Sequence, residues 1–126
     1  MNVLVIGAGS VGIGLASSML SQNANVSIYA RGETAKAIKK NGIKRVGLFE
    51  HYSFTPEELN VYETYEEIPK DTFDYVFITS KTTANDDISK RLSKSRDILK
   101  DGFKIIIFQN GFANDEAYLR YFSKND

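Results

Sequence analysis

Val3-Leu4-Val5-Ile6-Gly7-Ala8-Gly9-Ser10-Val11-Gly12 sets a run of four apolar residues directly before a G-x-G-x-x-G turn. Continuous apolarity over so short a run predicts a strand covered on both faces, as in a parallel sheet. Buried strand, glycine turn and helix, in that order, are what holding a dinucleotide pyrophosphate requires. Gly7 permits the tight turn out of the strand. Gly9 lacks the side chain that would keep a phosphate from the backbone, and Gly12 lets the first helix pack close to the sheet. The unpaired N–H groups of that helix's first turn stand at the positive end of its dipole, with Ser10 and Val11 lining the turn through their backbone.

Working outward, Val11, Leu15, Met19 and Leu20 recur at helical spacing from Val11 to about Asn23, with Ile13 and Ala16 widening the stripe. Asn25 to Ala30 reads as a second strand, so the first strand–helix–strand unit has the length of a right-handed crossover onto a parallel neighbour. A short helix over about Glu33 to Lys40 stops at Asn41-Gly42. Gly42 to Tyr65 is the least regular stretch. Strands or a hairpin between Ile43 and Tyr52, the break at Pro56 and a short strand near Asn60 predict an antiparallel excursion at a sheet edge rather than a plain β-α-β unit.

Phe73 to Thr79 is the next central strand. Thr82 to Lys100 is mostly helical, with Asn85-Asp86-Asp87 as its expected cap, and Asp101-Gly102 turns the chain into the strand Lys104 to Phe108. Asn114 or Asp115 is placed to cap a last helix over 115–122, whose Tyr118, Tyr121 and Phe122 share one face. That aromatic face either packs on the sheet of a self-contained domain or marks a surface covered by a continuation of the chain or by a second copy. The whole pattern predicts a single α/β domain of Rossmann type, a doubly wound, mostly parallel sheet with helices on both faces.

Composition narrows the chemistry. The chain has 126 residues, 42% of them apolar, enough for one core. Sixteen basic residues balance sixteen acidic ones, so no global field attracts nucleic acid. With no cysteine and one histidine, His51, thiol nucleophiles, disulfides and histidine-clustered zinc are excluded. No apolar stretch approaches the roughly 20 residues that cross a bilayer, and the N-terminus does not read as a signal peptide. A soluble cytoplasmic protein is expected, with homo-oligomerisation open.

Nineteen positions beyond Gly12, at the end of the second strand, stands Arg31. An NAD-preferring site commonly has a carboxylate there to accept the ribose hydroxyls; a guanidinium cannot accept but can pair with a 2′-phosphate. NADPH/NADP+ is therefore the expected cofactor, with Arg31 its main determinant. Glu33 keeps an acidic handle open. Ligands of open parallel sheets lie beyond the carboxyl ends of the strands, where Thr79-Ser80-Lys81-Thr82 and Gln109-Asn110-Gly111 fall. Lys81 can polarise a substrate oxo group and Asn110 can orient nicotinamide or substrate, while Thr79 and Ser80 are lining residues. The plainer alternatives are a solvent-facing lysine and an Asn-Gly turn.

These residues together resemble the ketopantoate reductase (2-dehydropantoate 2-reductase) family. Gly7 to Gly12 matches its nucleotide fingerprint, Arg31 falls where the family binds the NADPH 2′-phosphate, and Ile78-Thr79-Ser80-Lys81 is similar to its catalytic-lysine segment. Gln109-Asn110-Gly111-Phe112-Ala113-Asn114-Asp115-Glu116 resembles its Q-N-G-x-G-N-x-E segment, with Ala113 in place of the usual glycine and Ser80 in place of an apolar residue. The resemblance implies an NADP-binding domain over 1–126 of an NADPH-dependent enzyme that reduces the oxo group of a 2-oxo acid in pantothenate biosynthesis. Its helical C-terminal catalytic domain has no counterpart in this chain, so little turnover is expected from these residues alone. The competing class is a stand-alone nucleotide-sensing module, which needs the cofactor but no polarised substrate oxygen.

Overall fold

The side chains of Val3 and Val5 leave the first strand on one side and those of Leu4 and Ile6 on the other, and all four are buried. A strand so covered must lie at the centre of a two-faced sheet. In the computed structural model, which describes residues 1–46, 51–109 and 114–126, this strand, β1 (Asn2–Ile6), is the middle of five. β2 (Asn25–Tyr29) and β5 (Asn60–Tyr62) lie to one side of it, β6 (Phe73–Ile78) and β7 (Leu99–Ile107) to the other, and every pairing in this sheet is parallel.

The two faces carry separate cores. α1 (Ser10–Ser21) and α2 (Gly32–Asn41) cover the Val3, Val5, Val26 and Ile28 face through Ala16, Ala35 and Ile38. α3 (Asn85–Lys94) and α4 (Glu116–Leu119) cover the opposite face, where Ile88, Leu92 and Tyr118 meet Leu4, Ile6, Val76 and Ile78. The doubly wound α/β architecture is as the sequence predicts.

Details differ where tertiary packing overrides pattern. The buried side of α1 is Gly12, Ala16 and Ser17, not the large apolar residues: Val11 is 50% exposed. Small residues let the helix axis approach the sheet, and Ile13, Met19 and Leu20 pack partly buried at the margin of the same core. β3 (Ile43–Val46) and β4 (His51–Phe54) form an antiparallel hairpin in a sheet of their own, packed against α1. The edge strand β5 is parallel to β2, so the stretch from β2 to β5 is a crossover through α2 with a hairpin inserted, not an antiparallel edge.

The Asp101-Gly102 turn lies inside β7. Leu99 pairs with Phe73 and Lys104 with Tyr75, so five residues of β7 advance against two of β6. The last helix is a single turn, after which Phe122 still reaches the core, edge-on to Phe103 at 6.0 Å, with the Arg96 guanidinium 5.1 Å from each ring. Tyr118 and Phe122 are buried and Tyr121 is 42% exposed, so most of the aromatic face is spent on this domain's own core. Among the described residues no helix is long and apolar enough to cross a membrane.

Candidate functional site

β1 lies between β2 and β6, so the chain's winding reverses at its carboxyl end and opens a crevice there. Its floor is the glycine turn. Gly7 has φ +114°, a conformation L side chains rarely adopt, and a Cβ there would stand 2.7 Å from both the Ser80 amide nitrogen and the Thr79 hydroxyl. At Gly12 a Cβ would run into the Gly7 carbonyl oxygen. At Gly9 it would meet nothing within 4 Å among the described residues. Gly7 and Gly12 are thus demanded by the protein's own packing, whereas the space at Gly9 is open to solvent.

Gly9 is also the N-cap of α1, without a side-chain cap and without an acidic residue in the first turn. The first intrahelical bond runs from the Ile13 N–H to the Gly9 carbonyl at 3.0 Å, so the amides of Ser10, Val11 and Gly12 precede the helix's own acceptors. An uncapped helix start with exposed backbone is an anion cradle.

Two clefts flank this turn. On one side about 380 Å³ is enclosed by Gly7, Gly9, Tyr29, Arg31, Ser80, Asp87 and neighbours. On the other about 660 Å³ is lined by Val11, Thr79, Ser80, Lys81, Phe108 and Gln109, among others. Of the residues singled out in the sequence, Gly7, Gly9 and Arg31 gather in the first cleft, Val11, Thr79 and Lys81 in the second, and Ser10 opens the helix between them. Asn110 lies outside the described residues.

Thr79 is occupied within the protein. Its hydroxyl donates to the Ile6 carbonyl at 3.0 Å and reaches the Gly7 carbonyl at 3.2 Å, and its amide donates to Ile6 at 2.9 Å. It fastens the end of β6 to the exit of β1. Lys81 is exposed, starts a short 3-10 turn over Thr82–Ala84, and has no carboxylate partner among the described residues. The Ser80 hydroxyl is buried without a hydrogen-bond partner among the described residues.

A polar cluster holds these strand ends together. Asn85 and Gln109 exchange amide hydrogen bonds, Asn85 Nδ2 to Gln109 Oε1 at 3.2 Å and Gln109 Nε2 to Asn85 Oδ1 at 2.9 Å. Gln109 Nε2 also donates to the Ser80 carbonyl at 2.7 Å, and the Tyr118 hydroxyl donates to Asn85 Oδ1 at 3.1 Å. Burial pushes the Tyr118 phenol upward, which keeps it a neutral donor. Asn85 is therefore not the helix cap its sequence position suggested: α3 has no side-chain cap, because the Asn85 amide turns inward to Gln109. Asp115 likewise makes no side-chain cap for α4.

Arg31 stands at the start of α2, 3.8 Å from Asp87 of α3, both side chains more than half exposed. Asp87 in turn accepts Arg91 Nε at 2.9 and 3.1 Å, which holds the guanidinium pKa above its usual value. Beside them Tyr29 and Tyr65 stack at 4.4 Å between centroids, and burial raises the Tyr65 phenol, whose hydroxyl is unpartnered among the described residues. Asp87 and Asn85 were not singled out in the sequence as lining the site, and Gln109 only as the first residue of the strand-end run Gln109-Asn110-Gly111. A Gln-Asn-Gly run at a strand end was the available signal for Gln109; charged and amide residues on a helix carry none.

The parallel order, the reversal beside β1 and the open helix start define a Rossmann-type domain of the kind found in dehydrogenases. The chain belongs to the ketopantoate reductase PanE/ApbA family, whose model matches residues 3–126. It is 28% identical over 119 residues to the 2-dehydropantoate 2-reductase of Pyrococcus horikoshii, covering 94% of this chain and 36% of that protein. The 2-dehydropantoate 2-reductase of Methylococcus capsulatus superposes with a TM-score of 0.72 at 23% identity, over 96% of this chain and 38% of that one. D-mandelate dehydrogenase, solved with NADH and anilino(oxo)acetate, superposes with a TM-score of 0.76 at 16% identity, over 98% of this chain and 38% of that one. The chain thus spans little more than a third of the length of these relatives.

Proposed function

We propose that residues 1–126 form the NADPH-binding domain of a 2-dehydropantoate 2-reductase-like oxidoreductase, which in its intact form reduces the oxo group of a small 2-oxo acid. The observation that carries this reading is the open space at Gly9, set over an uncapped helix start between one cleft holding Arg31 and another holding Lys81. A dinucleotide has the same layout: a doubly charged centre, an adenosine end and a reactive end.

Bound nicotinamide would supply the hydride. The chain's residues do the rest: Ser10, Val11 and Gly12 amides hold the pyrophosphate, and Arg31 pairs with the 2′-phosphate. Lys81 places its ammonium by the substrate oxygen as negative charge grows there, and Asn110 orients nicotinamide or substrate through its amide. A pure nucleotide sensor has no use for an exposed strand-end lysine with no carboxylate partner among the described residues, which favours the enzyme reading.

The test is fluorescence titration of the chain with NADPH and NADH, for wild type and Arg31→Ala, together with ketopantoate-dependent NADPH oxidation by the intact gene product. Binding that favours NADPH, lost with Arg31, and turnover by the intact product are expected. An affinity ratio indifferent to Arg31 would remove the cofactor assignment. Efficient turnover by these 126 residues alone would remove the division of labour.

A further inference from the structure

Asp87 is a wall residue of two adjoining clefts, one holding Gly7, Gly9 and Arg31 and the other Tyr65, Lys90, Arg91 and Lys94. Its carboxylate lies between two guanidinium groups but is shared unequally. Arg91 holds both oxygens at hydrogen-bond distance, whereas Arg31 Nη2 approaches one of them only to 3.8 Å. Arg31 is therefore tethered by charge alone and keeps its donors for another anion.

Building on the NADPH reading above, we infer that Asp87 is a specificity-determining residue that limits the preference for a 2′-phosphorylated cofactor, and that Arg91 restrains Asp87 in that role. A phosphate held by Arg31 brings a second, larger negative charge toward the Asp87 carboxylate, and like charges at such range repel. With an unphosphorylated ribose the same carboxylate is an acceptor for hydroxyl donors. Arg91 neutralises part of the Asp87 charge and fixes it on the α3 side, away from Arg31. Glu63 and Glu66 face the adjoining cleft along with Lys90 and Lys94, so among the described residues the Asp87 carboxylate, not the rim as a whole, is the acidic group in contact with Arg31.

The two substitutions consequently act in opposite directions, which a merely structural role would not produce. Asp87→Asn is expected to raise the ratio of NADPH to NADH affinity by about threefold to tenfold, the scale of an exposed charge interaction, and Arg91→Gln to lower it by a similar factor. The full chain is titrated with each cofactor by nicotinamide fluorescence at low and high salt, and the Asp87→Asn gain shrinks at high salt. In an Arg31→Ala background Asp87→Asn gives no gain. Asp87→Ser serves as a second variant, with thermal melting as the check on folding. Folded Asp87 variants that bind both cofactors at an unchanged ratio, or a gain that survives without Arg31, overturn the inference and leave the cofactor reading standing. Wild-type protein that binds neither cofactor overturns both.

Discussion

Gly9→Ala and Gly12→Ala add the same methyl group three residues apart, and the structure assigns them opposite consequences. At Gly12, the third residue of α1, alanine brings a helix-propensity gain of at most about 1 kcal/mol. Against it, the new Cβ meets the Gly7 carbonyl oxygen and stands 2.7 Å from the Thr79 hydroxyl. The carbonyl is backbone, in a turn tied to β6, and gives way only if α1 lifts from the sheet. Overpacking wins, and a net loss of about 1–3 kcal/mol is expected, a fall of roughly 4–15 °C in melting temperature for a domain of this size. At Gly9 the backbone (φ −77°, ψ −173°) suits any residue and nothing among the described residues lies within 4 Å of an added Cβ. Stability there changes by less than about 1 kcal/mol, the cost of a poorer N-cap. Binding should suffer instead, because the methyl fills the space a phosphate would use: at least about tenfold in affinity, or ~1.4 kcal/mol. Urea denaturation and NADPH titration on the same samples separate the two effects. A Gly12→Ala protein as stable as wild type would refute the packing account. A Gly9→Ala protein that binds NADPH normally would refute the cradle.

Thr79→Val removes the hydroxyl that reaches the Ile6 and Gly7 carbonyls and should cost about 0.5–1.5 kcal/mol in urea unfolding, with no change in the Lys81 side chain's exposure to amine-modifying reagents. Asn85→Ala leaves Gln109 and the buried Tyr118 hydroxyl short of a partner and should cost about 1–3 kcal/mol; a double-mutant cycle with Gln109→Ala should be strongly non-additive, and additive losses would deny the pairing. Glu67 accepts the Glu63 and Thr64 amides, which lowers its pKa from 4.5; its folded-state pKa being the lower one, its stabilisation is present above 4.5 and fades as pH falls through the folded value. Glu67→Gln should therefore be less stable than wild type at neutral pH, with the two unfolding curves converging in acid.

The central strand, the glycine turn and α1 were legible because one short apolar run leaves β1 few alternatives and because the spacing of three glycines answers to a single turn geometry. The strand-end positions of Arg31 and Lys81 were legible for the same reason, each following an unmistakable strand. What escaped was set by partners distant in the chain. β5 has only three residues and owes its parallel pairing to β2, far upstream, and the inserted hairpin hid the crossover. Asn85 carries the composition of a cap yet is drawn inward by Gln109, 24 residues on. Asp87 reads as one more solvated helix carboxylate until the fold sets Arg31 against it. On α1, periodicity found the helix and Gly12 and Ala16 on its inner side, but not that Val11 would stand exposed, since close approach to a sheet puts small residues innermost.

The bond from the Thr79 hydroxyl to the exit of β1 has a kinetic corollary. Because the floor of the crevice is riveted to the neighbouring strand as the sheet forms, its ordering entropy is spent during folding and none is left to spend when a guest arrives. Induced adjustment is then confined to the rims, the Arg31 side chain and the turn after Lys81; before any ligand is added, hydrogen exchange should be slow at the Gly7 amide, which donates to the Tyr29 carbonyl, and fast at the exposed Ser10 and Val11 amides, which a bound anion would slow.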